Sequence, residues 1–181
     1  MLFRSGAQAD GCVATAAGTA CTIMVADCLP VLLTDSEGRA VAAAHAGWRG
    51  LAGKAGRGIL ETVVGALHER LSRHEPGAEG ELLAWLGPCI GPQAFEVGAE
   101  VRAAFVCVNA EAAAMFMPHT PGKWLADLAG LARLRLAALG VKSIHGNDSG
   151  GAWCTVSNPS RFFSHRRDRV SGRFAASIWR A

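Results

Sequence analysis

Residues 20–34 form an apolar run that has to be organised around one charged residue. Thr22, Ile23, Val25, Val31 and Leu32 are β-formers, and Asp27 sits among them beside Cys28, Leu29 and Pro30. The run reads as a strand. Asp35-Ser36-Glu37-Gly38 follows as a turn, with Asp suited to its first position and Gly to its last. Arg39 to Ala44 reads as a second strand. If Ser36 and Glu37 are the two loop residues, facing residues have numbers that sum to 73, and Cys28 then faces His45. Directly opposed side chains share a face, with Cβ atoms about 4.5–5.5 Å apart. Pro30 cannot donate to a ladder and often marks an edge or bulge. A slip of one residue would put Cys28 and His45 on opposite faces.

The remaining chain alternates strands and helices without a strict βαβ rhythm. A helix is expected from Leu51 to Arg73, with Ile59, Val63, Ala66 and Leu67 on one face. A polar connection follows over residues 74–80, then a short buried strand, Leu82 to Leu86, that ends in Gly87-Pro88-Cys89-Ile90-Gly91-Pro92. Further helices are expected over Gly98–Cys107 and Leu125–Leu139, the second closed by Gly140. Phe162 to His165 and Phe174 to Trp179 read as a C-terminal hairpin. These elements predict an α+β fold with mixed β-sheets, a sandwich-like core and flanking helices, in one domain over 1–181.

Composition excludes several classes. Half of the 181 residues are hydrophobic and 18% are charged, so the chain can bury a real core. The most apolar stretch is broken by Asp27 and Pro30 and falls short of the roughly 20 residues of a membrane span. No apolar leader opens the N-terminus, and the expected location is cytoplasmic. A net charge of +3, spread along the chain, does not argue for nucleic acid. The six cysteines include no C-x-x-C pair, so free thiols are expected.

The chemistry-bearing residues cluster near the first hairpin. Asp27 is either a carboxylate supporting a site or a general acid/base, or else a turn or bulge residue that holds backbone N–H groups. After His45, the run Ala46-Gly47-Trp48-Arg49-Gly50 leads into a helix whose start offers an anion site, with Arg49, Lys54 and Arg57 adding charge. The P-loop spacing is absent. Cys89, between two Gly-Pro pairs, could line a pocket. Arg166 or Arg167 could bind an anion if its charged turn folds over the site.

The strings Ala26-Asp27-Cys28-Leu29-Pro30-Val31-Leu32, Ala44-His45-Ala46-Gly47-Trp48-Arg49-Gly50 and Leu86-Gly87-Pro88-Cys89-Ile90-Gly91-Pro92 resemble the laccase-domain family. Cys154-Thr155, Phe162-Phe163-Ser164-His165-Arg166-Arg167-Asp168 and Gly172-Arg173 continue the match, from about Gln8 to Trp179. Members have been described as multicopper polyphenol oxidases, peptidoglycan editing factors, and zinc-dependent purine nucleoside phosphorylases and adenosine deaminases. The resemblance implies a metal site of one cysteine and two histidines, of which Cys28 and His45 carry over. The other histidine belongs to an upstream Gln-Val-His-Gly segment that this sequence does not contain, so an N-terminal segment is expected to be lacking. His165 stands where Tyr is common, and the stretch Asn147 to Trp153 is longer than usual.

Zinc is the expected metal, because its Cys/His set leaves an open position. Copper would call for an axial Met. Met24, four residues before Cys28, would lie about 13 Å away along one strand. The resemblance therefore implies phosphorolysis of adenosine, inosine or methylthioadenosine, or deamination of adenosine, with purine nucleoside and phosphate as partners. Catalysis would rest on Asp27, Cys28, His45 and Arg49, and substrate binding on Arg49, Cys89 and Arg166. The alternatives are a metal-free cysteine hydrolase with Cys28 as nucleophile and His45 as base, a copper polyphenol oxidase, and a non-catalytic truncated paralogue.

Overall fold

The computed structural model describes residues 9–74 and 80–181. Most of the polar connection expected over residues 74–80 lies outside them. The architecture is α+β, built on a mixed five-stranded sheet. Its strands are β1 (Gly11–Ala14), β3 (Leu29–Asp35), β4 (Val41–Ala46), β5 (Leu82–Leu86) and β9 (Ser143–Gly146), in the order β1-β4-β3-β5-β9. All neighbours are antiparallel except β5 and β9. Strands β2 (Ala20–Val25) and β10 (Phe174–Trp179) form a separate antiparallel pair.

Period-2 alternation assigns the two faces of the large sheet. Ala42, Ala44 and Ala46 of β4, with Leu29, Val31 and Leu33 of β3, join the cluster that contains α2 (Ile59–His74). Val41 and Ala43 point the other way, into a cluster with Cys21, Ile23 and Val25 of β2. The sheet is thus packed between helices and the β2–β10 pair. β4 is covered on both faces, which explains its near-continuous run of small apolar residues. Helix α2 buries Leu60, Val63, Val64, Leu67 and Leu71, the i, i+3, i+4 stripe of an amphipathic helix. Gly11 lets α2 approach β1 closely, because a Cβ there would meet the Val63 side chain.

A three-stranded sheet, β6 (Glu96–Gly98), β8 (Lys123–Ala126) and β7 (Phe116–Pro118), lies beside α3 (Ala99–Val106). Helix α4 (Leu128–Ala138) is capped by Asp127, whose carboxylate accepts from Gly130 N, and ends at Gly140 with φ 82°. Gly140 serves as the expected stop. Glu61 of α2 and Arg135 of α4 are joined at 2.8 Å.

Several expectations are corrected. Residues 20–34 are two strands in different sheets, because Asp27 adopts φ 84° and redirects the chain. Met24 therefore lies on β2 rather than on the strand that follows Cys28, and it is exposed. The β3–β4 connection runs over six residues, 35–40, instead of a two-residue turn, since Thr34 pairs with Val41. The Asp35 carboxylate closes it by accepting from Arg39 N and Ala40 N. Facing numbers consequently sum to 75, and His45 opposes Pro30. The helix expected from Leu51 is split into α1 (Trp48–Ala52) and α2, because Gly53 turns to φ 66° and Lys54 bridges Arg57. The expected helix from Leu125 begins at Leu128, its first residues being strand β8. No C-terminal hairpin forms among the described residues. His165–Asp168 is one helical turn, α5, and β10 pairs with β2 instead.

Candidate functional site

His45 lies on the face of β4 that looks toward β2, because it follows Val41 and Ala43 by even steps. On one side it opposes Pro30 of β3. On its other side the β1–β4 ladder extends by one position past Gly11 and Ala44, which sets Asp10 against it. The His45 N–H donates to the Asp10 carbonyl at 2.7 Å, and Nδ1 lies 3.0 Å from Asp10 Oδ1. Cys28 immediately precedes β3, two residues before Pro30, so it is the diagonal neighbour of His45 on the same face. The register error was an even number of residues, and that preserved the shared face.

The Cys28 thiol lies beside the His45 imidazole. That contact is the main reason that the imidazole is raised to about 9; burial opposes it and Asp10 reinforces it. With Nδ1 committed to Asp10, Nε2 is left on the Cys28 side. Gly47 borders both: a Cβ there would stand 2.9 Å from Cys28 Sγ and 3.8 Å from His45 Nε2. The space that both donors border exists because residue 47 is glycine. Thiolate and imidazole are a donor set suited to zinc, and the pair and its cradle fit such an ion in chemistry and space. Among the described residues no group of three or more His, Cys, Asp or Glu side chains gathers to hold a metal.

Asp27 lies beside this pair, and its roles are visible atom by atom. Oδ1 accepts from the Thr155 hydroxyl at 2.6 Å and Oδ2 from Arg166 N at 2.6 Å. Its carbonyl accepts from Ile90 N at 2.9 Å. One buried residue thus ties the 87–92 loop and the 154–167 segment to the start of β3. These loops also pair with each other, Cys89 N donating to Trp153 O and Thr155 N to Cys89 O.

The other expected residues are placed as follows. Cys89 is buried, and its thiol accepts from Asn147 Nδ2 at 3.4 Å. Burial, with Asp127 nearby, pushes the thiol up, which keeps it protonated. Arg49 is exposed on α1, its guanidinium 4.5 Å over the Trp48 ring. Helix α1 is only five residues long, so any anion there would rely on Arg49 more than on a helix dipole. The turn bearing Arg166 does fold back onto Asp27, but the Arg166 guanidinium lies 5.7 Å over Phe95 and donates to Glu96 O. Arg167 is locked to the carbonyls of Thr155, Val156 and Phe162.

Asp10, Gly47, Asn147 and Thr155 were not singled out from sequence. Reading β1 as a strand would have exposed Asp10, but four residues, Gly-Cys-Val-Ala, carry too little pattern. Thr155 and Asn147 are recruited over long sequence separations and leave no local signal.

Comparison with known proteins fits this frame. The family model described as "Multi-copper polyphenol oxidoreductase laccase" matches residues 3–181. A purine nucleoside phosphorylase of Pseudomonas aeruginosa is 51% identical over 174 residues, covering 95% of this chain and 65% of that protein. The purine nucleoside phosphorylase YfiH of Escherichia coli is 48% identical over 172 residues, covering 95% and 64%. Among solved structures, a Neisseria meningitidis protein superposes with a TM-score of 0.76 at 44% identity, covering 94% of this chain and 64% of that one. YlmD of Geobacillus stearothermophilus does so with 0.78 at 31%, covering 94% and 60%. The chain spans a little under two thirds of the length of these relatives. By the span of the family match and by these identities, the chain belongs to the multi-copper polyphenol oxidoreductase laccase family.

Proposed function

We propose that the chain carries the Cys/His part of a zinc-dependent purine nucleoside enzyme, which phosphorolyses adenosine, inosine or methylthioadenosine or deaminates adenosine. The observation that carries this reading is the Cys28–His45 pair across the space left by Gly47. The purine nucleoside phosphorylase names of the relatives supply the substrate class. Cys28 and His45 would hold the ion, which when bound supplies a Lewis acid and a water whose pKa falls to about 7. Asp10 orients the imbedded ring through Nδ1. Asp27 positions the two loops that close on the pair. Arg49 offers a guanidinium to phosphate, Arg166 would add a second positive charge, and Cys89 packs inside the 87–92 loop. Zinc is preferred to copper because Met24, the methionine nearest Cys28 in sequence, lies on β2 and is exposed.

A second reading is favoured by one specific observation. Cys28, His45 and Asp10 form a chain of nucleophile, base and orienting carboxylate, the arrangement of a metal-free cysteine hydrolase. One experiment separates the two. Metal content is measured in the purified chain and in Cys28→Ala and His45→Ala, together with turnover of adenosine and inosine with and without phosphate. Zinc that is lost with turnover in both variants supports the zinc enzyme. Zinc-free protein labelled at Cys28 by a thiol electrophile supports the hydrolase. A folded chain with neither metal, labelling nor turnover overturns both.

A further inference from the structure

Cys12 and Cys21 form a second thiol pair, remote in role from Cys28. Cys12 lies on β1 opposite Ala43 and faces the β2 layer, while Cys21 lies on β2 in the cluster with Val41 and Ala43. Both pack in the same apolar cluster between the layers, and the Cys21 thiol donates to Val41 O at 3.7 Å. Both are free cysteines, and their environments differ. Cys21 is buried, 2% exposed. Cys12 is half-buried on β1, an edge strand of the large sheet. One cysteine is thus partly exposed at the sheet edge, and the other is sheltered in the cluster behind it.

We propose that Cys12 and Cys21 are a dithiol modification site, at which a peroxide converts the pair to an intramolecular disulfide that staples β1 to β2. The Cys12 thiolate attacks one peroxide oxygen, the O–O bond breaks, and the leaving hydroxide is protonated to water, which leaves Cys12 as a sulfenic acid. The Cys21 sulfur then attacks the Cys12 sulfur, the S–O bond breaks, and the departing hydroxide takes the Cys21 proton to form a second water. In sum two thiols and one hydrogen peroxide give one disulfide and two waters, with the thiols oxidised and the peroxide reduced. The electrostatics agree with this division of labour. The neighbouring Cys21 thiol, aided by the Thr22 and Ala43 backbone and opposed by burial, brings the Cys12 thiol down to about 6. The same contact and burial push Cys21 up, so it keeps its proton until the second step.

The sequence makes the site readable by mass. Cleavage before aspartate releases residues 10–26 with Cys12 and Cys21 and no other cysteine, while Cys28 leaves on 27–34. The folded, reduced chain is treated with hydrogen peroxide at increasing ratio, alkylated, digested and mapped without reductant. The expected result is a 10–26 peptide lighter by two hydrogens and carrying no alkyl group, at peroxide doses that leave Cys21 unoxidised beyond the disulfide. Cys21→Ser is expected to convert Cys12 to sulfinic or sulfonic acid instead, and Cys12→Ser to leave Cys21 alkylatable. A 10–26 peptide that takes two alkyl groups while the exposed Cys107 is oxidised would overturn the proposal. So would a disulfide that joins either cysteine to Cys28.

Discussion

Replacing Asp27 with Ala removes the acceptor for two short, charge-assisted hydrogen bonds, each 2.6 Å, from Thr155 and Arg166. Thr155 is fully buried, so its hydroxyl is left without a partner. A hydrogen bond to a charged group contributes about 1.5–3 kcal/mol. The two share one carboxylate and do not add fully, so the loss should be about 3–5 kcal/mol. The backbone provides a control. Asp27 sits at φ 84°, where a Cβ costs about 1–2 kcal/mol. Asp27→Gly loses the same bonds but sheds that strain, and should be about 1 kcal/mol less destabilising than Ala. Asp27→Asn keeps one acceptor oxygen and tolerates the left-handed region, and should be the mildest. Urea unfolding at pH 7, followed by far-ultraviolet dichroism and tryptophan fluorescence, measures all three. For a chain of this size the Ala variant should melt on the order of 10 °C lower. If Ala costs less than about 1 kcal/mol, or if Gly is worse than Ala, the carboxylate does not hold the loops and the argument fails.

The zinc reading makes two sharper demands. Asp10→Ala should weaken zinc about 10–100-fold in competition with a chelator, while Asp10→Asn, which keeps an acceptor for Nδ1, recovers most of it; equal affinity in wild type and Ala would refute the orienting role. Gly47→Ala should lose zinc on dialysis with a melting temperature within about 3 °C of wild type, since its φ of −67° suits any residue and the added Cβ meets only the donor pair. Asp35 predicts a pH effect. Burial pushes its carboxyl up, but bonds from the Arg39 side chain and from the Ala40 and Arg39 amides outweigh this and hold it below 3.8. The unfolded chain therefore binds the extra proton first on acidification, so the stabilisation is present above pH 3.8 and is lost as pH falls through the folded value. The urea midpoint should drop between pH 5 and pH 3 in wild type and drop less in Asp35→Asn.

What the sequence displayed of the fold was its local periodicity. Val63 and Leu67 of the α2 stripe, the Leu82–Leu86 strand, the Gly140 stop and the α+β class were legible, because each is written in residues that neighbour one another. The pairing of β10 with β2 was not. Phe174 meets Val25 across about 150 residues, and a run such as Phe-Ala-Ala-Ser-Ile-Trp names no partner. The helix expected from Leu51 failed for a different reason. Ala, Lys, Arg and Leu are good helix formers, but Gly53 and Gly56 take positive φ and the 54–57 bridge closes a turn there instead.

The site was partly legible because strand geometry forgives even errors. Asp35 folds its carboxylate over Arg39 and Ala40, which lengthens the connection and shifts the register from 73 to 75. An odd shift would have sent His45 to the helix side of the sheet and Cys28 away from it. The shift of two kept both on the β2 side and exchanged direct opposition for a diagonal, with Pro30 in the position facing His45. That exchange has a consequence for chemistry. A directly opposed cysteine would crowd the ring, whereas the diagonal one leaves room in front of Gly47, where a third atom can sit against both donors. Pro30, which looked like a threat to the pairing, instead occupies the position facing His45 and leaves Cys28 just outside the ladder, bordering that space.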